Sequence, residues 1–309
     1  MYGQFLVIFA LLFTGYFCKK INLLNNEISR GLSKFIIHVS LPCFLFLKVS
    51  GMEIQAGLWG NFALALFLPV SAMVISGVYV FWYARLRKFP EEDSSTAEIM
   101  MVYPNNGFMG FPISYLFFGD MGLLFMFPHN IALNLTMFSF AIFTLRRNGK
   151  DRFSAKMLLK CLLNPNILAL AAGFVFCWFT LTVPELIGKY LEYLGGIATP
   201  MAMVIIGSML YGTNMLKVMR EKIVLESVIN KIVVMPLLAA LIVMFFPLPA
   251  IAKAMVIFGS CFPSATTLTI LAESEGKNGE LASKIVAVST AVSMVSLPIA
   301  VNLINLLIL

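Results

Sequence analysis

The chain has 309 residues, 60% apolar and only 12% charged, with a formal net charge of +7. A soluble domain carries about twice that charged fraction, so a single water-soluble fold is excluded and the solvent is lipid. The basic excess falls in the connections between apolar runs, which assigns it to anionic lipid headgroups and not to nucleic acid.

A helix that crosses a bilayer needs about 20 apolar residues, fewer when it is tilted or half-broken. Ten candidates follow in chain order: residues 4–18, 32–49, 58–84, 97–118 and 123–145, then 167–183, 187–211, 223–246, 251–272 and 283–308. The first has no basic residue before it and Lys19 and Lys20 after it, the reverse of a cleavable signal peptide. It is therefore expected to stay as a span with its N-terminus outside. With that orientation, all of the 22 basic residues except Lys48, Lys189 and Lys253 fall in inside connections, Lys231 among them. Ten spans also put the C-terminus outside.

The basic connection at residues 146–160 separates a first half, 1–150, from a second, 151–309. Proline recurs in the second span of each half (Pro42, Pro200) and in the third (Pro69, Pro236). Five is odd, so two such halves in tandem enter the membrane in opposite senses. The expected fold is thus an all-α membrane protein of ten transmembrane helices, arranged as two inverted five-helix repeats.

The fourth span places Pro104, Asn105, Asn106, Gly107, Gly110 and Pro112 within nine residues of an otherwise apolar run. Two prolines and two glycines there are expected to unwind the helix. In lipid, the freed backbone groups have to find partners inside the protein or in a wet cavity. The ninth span carries the equivalent weak point in Gly259, Ser260, Pro263, Ser264, Ala265, Thr266 and Thr267. If helices 4 and 9 are interrupted there and cross, two half-helix N-termini face the crossing and favour an anion. The substrate residues expected are therefore Asn105, Asn106, Gly107, Gly110, Pro112, Pro263, Ser264, Ala265, Thr266 and Thr267. Asn130 and Asn134 line the cavity on a polar face of the fifth span that also carries Thr136 and Ser139.

Other chemistries lack their residues. His38 and His129 are far apart in sequence, and each reads more simply as a helix–helix hydrogen bond than as a proton relay. Cys18, Cys43, Cys161, Cys177 and Cys261 include no CxxC pair, and no histidine cluster completes a metal site, so neither metal nor cofactor is expected. No paired Asp or HExxH motif points to an enzyme. A sodium–proton antiporter, the alternative transporter, needs a carboxylate at the crossing, whereas Glu98 and Glu273 fall at span ends.

These motifs give the chain a family likeness. PNNGFMGFP in the fourth span, NPNILAL at residues 164–170, PMAMVIIGSML at 200–210, KIVVMPL at 231–237 and FPSATTL at 262–268 occur in an order and spacing that resemble the auxin efflux carrier family. The short link between halves is similar to the compact prokaryotic type, and Asn105-Asn106 stands where plant members often have Asn-Thr. The resemblance implies a fold related to bile-acid and sodium–proton carriers. It implies a scaffold of spans 1, 2, 6 and 7 that forms a homodimer, and a moving transport domain of spans 3–5 and 8–10. It further implies a small carboxylate substrate, such as malate, malonate or an auxin-like acid, moved by elevator-type alternating access.

Overall fold

The computed structural model describes residues 2–52, 59–147, 164–212 and 214–309. Cys161 and all but the first two residues of the 146–160 connection lie outside them. Among the described residues the chain is helical throughout, and its one β feature is an isolated antiparallel bridge between Pro104 and Ser264.

In chain order the helices are α1 (Tyr2–Lys20), α2 (Glu27–Ser50), α3 (Trp59–Leu86), α4 (Glu91–Val102), α5 (Asn106–Arg146), α6 (Pro165–Trp178) and α7 (Glu185–Leu210). They continue with α8 (Lys222–Met244), α9 (Ala250–Cys261), α10 (Thr267–Ser274) and α11 (Gly279–Leu307). Six of them (α2, α3 from Ala63, α5, α7, α8 and α11) are long and apolar enough to cross a membrane. Large apolar side chains stand exposed along them, including Trp82, Phe143, Leu241 and Phe245, as a lipid-facing surface requires. The protein is a multi-pass membrane protein.

Polar residues set the helix starts. The Asn25 side chain accepts the Ile28 N–H at 2.7 Å, and Asn278 accepts the Leu281 N–H at 2.9 Å, each at the head of a helix with orphan donors. Helix α4 begins at Glu91, earlier than the apolar pattern places it, and its first turn carries Glu91, Glu92 and Asp93, which complement the helix dipole. Gly119 (φ 61°, ψ −152°) divides α5 into two helices at a conformation closed to side-chain-bearing residues.

Proline leaves a regular mark on three helices. Wide π turns at Ile36–Ser40, Asn106–Gly110 and Asn230–Val234 each end two residues before a proline, Pro42, Pro112 and Pro236 respectively. A proline has no N–H and its ring collides with the carbonyl four residues back, so widening the preceding turn absorbs both defects without ending the helix. This corrects the expectation for the fourth span. Gly107, Gly110 and Pro112 stay helical, and the interruption is confined to residues 103–105.

The described chain divides into two compact units. The first comprises residues 1–60, 107–127 and 162–212; the second comprises 61–106, 128–161 and 213–309. In the first unit, α1 runs antiparallel to the second half of α7 at glycine-limited distance. A Cβ on Gly15 would lie 1.8 Å from the Val204 carbonyl oxygen, and one on Gly207 would lie 1.9 Å from that of Leu12. Gly195 meets the Phe44 backbone in the same way, and Ser40 Oγ donates to the Leu194 carbonyl at 2.7 Å.

Candidate functional site

The second unit holds the polar centre of the molecule, where two interrupted helices meet. Helix α4 ends at Val102 and Tyr103 turns to extended backbone (φ −91°, ψ 117°); α9 ends at Cys261 and Phe262 does the same (φ −68°, ψ 150°). The two extended segments pair. The Asn105 N–H donates to the Pro263 carbonyl at 2.8 Å, and the Ala265 N–H donates to that of Tyr103 at 3.1 Å. Backbone groups freed by the breaks thus satisfy each other, as a low-dielectric interior demands. Fully buried Ser264 pins the pair: its Oγ donates to the Met100 carbonyl at 2.7 Å, and its N–H is accepted by Ser289 Oγ at 3.2 Å.

The ends of α4 and α9 have a common cap. Lys231, fully buried within α8, points its ammonium at the Val102 carbonyl (3.2 Å) and the Ser260 carbonyl (3.3 Å). Each helix C-terminus carries roughly half a negative charge, so one ammonium offsets the pair. This corrects the sequence reading, which counted Lys231 among the basic residues of an inside connection. Its partners are main-chain oxygens on two other helices and leave no signature in side-chain identity.

Asn106 opens α5 beside this cap and is itself fully buried. Its Nδ2 lies 2.8 Å from His129 Nδ1, while its Oδ1 is buried without a partner. With His129 Nδ1 accepting the Asn106 amide N–H, the Asn106 carbonyl oxygen is left as the free valence of the cluster. The ring lies against Gly259, where a Cβ would approach it to 2.5 Å, so only glycine fits at that position. Sequence reasoning singled out His129 and Gly259 separately; their contact, the reason for both, is not readable from spacing.

The remaining expected residues separate. Pro104, Asn105, Asn106, Pro263, Ser264 and Ala265 come together at the bridge, all buried. Thr266 is half-buried, and Thr267 is exposed with its hydroxyl 3.9 Å from Met137 Sδ. Asn130 and Asn134 are buried on α5 but bond each other, Asn134 Nδ2 donating to Asn130 O (2.8 Å) and Oδ1 (3.0 Å). Gly107, Gly110 and Pro112 belong to the first unit, Gly107 half-buried and the other two buried.

Glu98 is buried in α4, but Arg147 holds both its oxygens, at 2.9 and 3.1 Å, and Ser94 adds a bond of 2.8 Å. Among the described residues no group of three or more His, Cys, Asp or Glu is placed to hold a metal ion.

Known proteins match this chain along its length. The family model described as "Membrane transport protein" matches residues 1–301. An uncharacterized transporter of Methanothermobacter thermautotrophicus is 24% identical over 299 residues, covering 95% of each chain. An uncharacterized transporter of Methanocaldococcus jannaschii is 23% identical over 206 residues, covering 65% of this chain and 66% of its own. With a membrane-spanning helical chain matched almost end to end, the protein belongs to the membrane transport protein family, the auxin efflux carrier type.

Proposed function

We propose that this membrane transporter moves a small organic-acid anion, a carboxylate in the size class of malate, malonate or an auxin-like acid, and that the bridge between α4 and α9 is its binding point. One observation carries the reading. The negative ends of α4 and α9 are offset by Lys231, while the positive starts of α5 and α10 face no acidic side chain among the described residues of the bridge. An anion is the charge that completes such a centre. Asn106 and its neighbour Asn105 are the polar contacts assigned to the carboxylate. The free Asn106 oxygen takes a donor from the ligand, such as the hydroxyl of a hydroxy acid.

The same proposal includes a ten-span inverted repeat with both termini outside, a homodimeric assembly, and an elevator-type movement of the body that carries the bridge. Support for two bodies comes from the division of the chain into two compact units. Support for two equivalent breaks comes from the interruption of helix at residues 103–105 and again at 262–266. The alternative, sodium–proton exchange, needs a carboxylate free to load and release a cation. Glu98, the acid buried in α4, is held by Arg147 instead.

Proteoliposomes test the reading. Labelled malate and malonate should enter saturably, and Asn106→Ala should lower uptake at least about 10-fold, the worth of one buried hydrogen bond. The variant also removes the donor to His129 Nδ1, so a stability cost of about 1–3 kcal/mol is expected, and flux is compared at equal amounts of folded protein. Uptake unchanged in Asn106→Ala removes the site assignment. Absence of saturable carboxylate flux, with a lumenal pH change on adding sodium, replaces the proposal by the antiporter.

A further inference from the structure

A cavity of about 350 Å³, apart from the bridge, opens in the second unit between α3, α4 and α5. Its body is apolar, with Met73, Gly77, Val80, Ile99 and Val102 among its lining. Its rim carries Val78, Trp82, Phe140 and Phe143, all exposed, so it opens sideways where a membrane protein meets lipid. One end is different. There Phe81 and Arg147 line the cavity, the Arg147 guanidinium 5.0 Å from the Phe81 ring, and just outside the lining the Arg85 guanidinium lies over the same ring at 3.9 Å. Two cations thus converge on one aromatic, against the single carboxylate of Glu98, which Arg147 already holds. Arg85 is exposed and, among the described residues, pairs with no acid.

The dimensions match a lipid. From Met73 to Arg85 the chain advances twelve residues of helix, a rise of about 18 Å. One leaflet of hydrocarbon is about 15 Å thick. The deep end of the cavity therefore lies near the bilayer midplane and the arginines lie at headgroup level, where Trp82 also belongs. We propose that this cavity is a site for one anionic phospholipid, an acyl chain seated between α3, α4 and α5 and its phosphate on Arg85. Planar guanidinium suits phosphate, and its stacking on Phe81 holds it in place for that contact. The lipid reaches Val102 and Tyr103, so its tail packs directly against the point where α4 stops. This assignment is independent of what the transporter carries.

Native mass spectrometry of the delipidated full-length protein reads the site, with phosphatidylglycerol, phosphatidylcholine and oleate added in turn. Phosphatidylglycerol should be retained about fivefold better than phosphatidylcholine, the worth of one guanidinium near an anionic surface. Arg85→Gln should erase that preference. Gly77→Leu should lower retention of both lipids, since a side chain there enters open space in the cavity. Melting curves check that both variants fold, and Arg85→Gln, at an exposed position, gives a reading of its own. Equal retention of the two phospholipids by the parent overturns the proposal. So does retention of phosphatidylglycerol unchanged in both variants. Oleate held as tightly as phosphatidylglycerol overturns it in favour of a fatty acid.

Discussion

Where α1 meets α7 in the first unit, the contact is made by what is missing: glycines at 15 and 207 let two backbones approach closer than any Cβ allows. Where α4 meets α9 in the second unit, it is made by what is added: a backbone bridge, a serine hydroxyl and a buried ammonium. The polar character extends through the second unit. Tyr79 donates to Asn230 at 2.9 Å, Tyr83 to Glu226 at 3.2 Å, and Arg87 pairs with Glu226. Lipid offers apolar helices no hydrophobic reason to associate, so contacts must come from close packing or from hydrogen bonds. The α1–α7 seam takes the first solution and the α4–α9 bridge takes the second. Dispersion across a glycine seam fixes distance, whereas paired charges and dipoles fix orientation and leave a polar centre able to receive a ligand.

That contrast predicts opposite sensitivities. The largest effect belongs to Lys231→Met, which keeps volume but leaves two helix C-termini facing each other without the cation. It should abolish carboxylate uptake and cost about 3 kcal/mol of stability, read as flux in proteoliposomes beside melting in detergent. Next is Gly207→Leu, whose side chain would occupy the position of the Leu12 carbonyl. A loss of about 1–3 kcal/mol or more is expected from overpacking, with Gly77→Ala as a near-neutral control because nothing lies within 4 Å of its Cβ. A charge-neutral change that melted the second unit as badly as Lys231→Met would blur the distinction. Ser264→Ala, which removes the hydroxyl bond to Met100, should cost about 1 kcal/mol and should lower flux more than stability. The smallest is Lys189→Ala. Its partner Glu185 lies one turn away with both side chains mostly exposed, so thermal melting should shift by under about 0.5 kcal/mol.

How much of this was legible in the sequence depends on whether a feature is local. Proline, glycine and asparagine clusters at 104–112 and 259–267 announce interrupted helices because each residue acts on its own turn. The apolar fraction and the spacing of basic residues likewise report lipid immersion directly. Lys231 was misread for the opposite reason. A lysine near a span end reads as interfacial unless its acceptors are known, and these are carbonyls on α4 and α9, 129 and 29 residues distant. The extent of the fourth-span break was also overstated. Pro112 lies inside a helix that widens ahead of it, and whether a proline breaks a helix or widens it depends on neighbours that compensate the lost bond.

The three wide turns ahead of Pro42, Pro112 and Pro236 have one more consequence. Each stores about one residue of slack relative to a regular helix. Deleting a single residue inside such a turn would let it tighten to ordinary pitch and restore the original facing of everything beyond. The same deletion in regular α-helical turns of these helices would rotate the remainder by about 100° and carry its inward side chains round to the acyl chains. The family's tolerance of one-residue length changes should therefore be concentrated at these turns and at the wide turn Met137–Ala141 of α5.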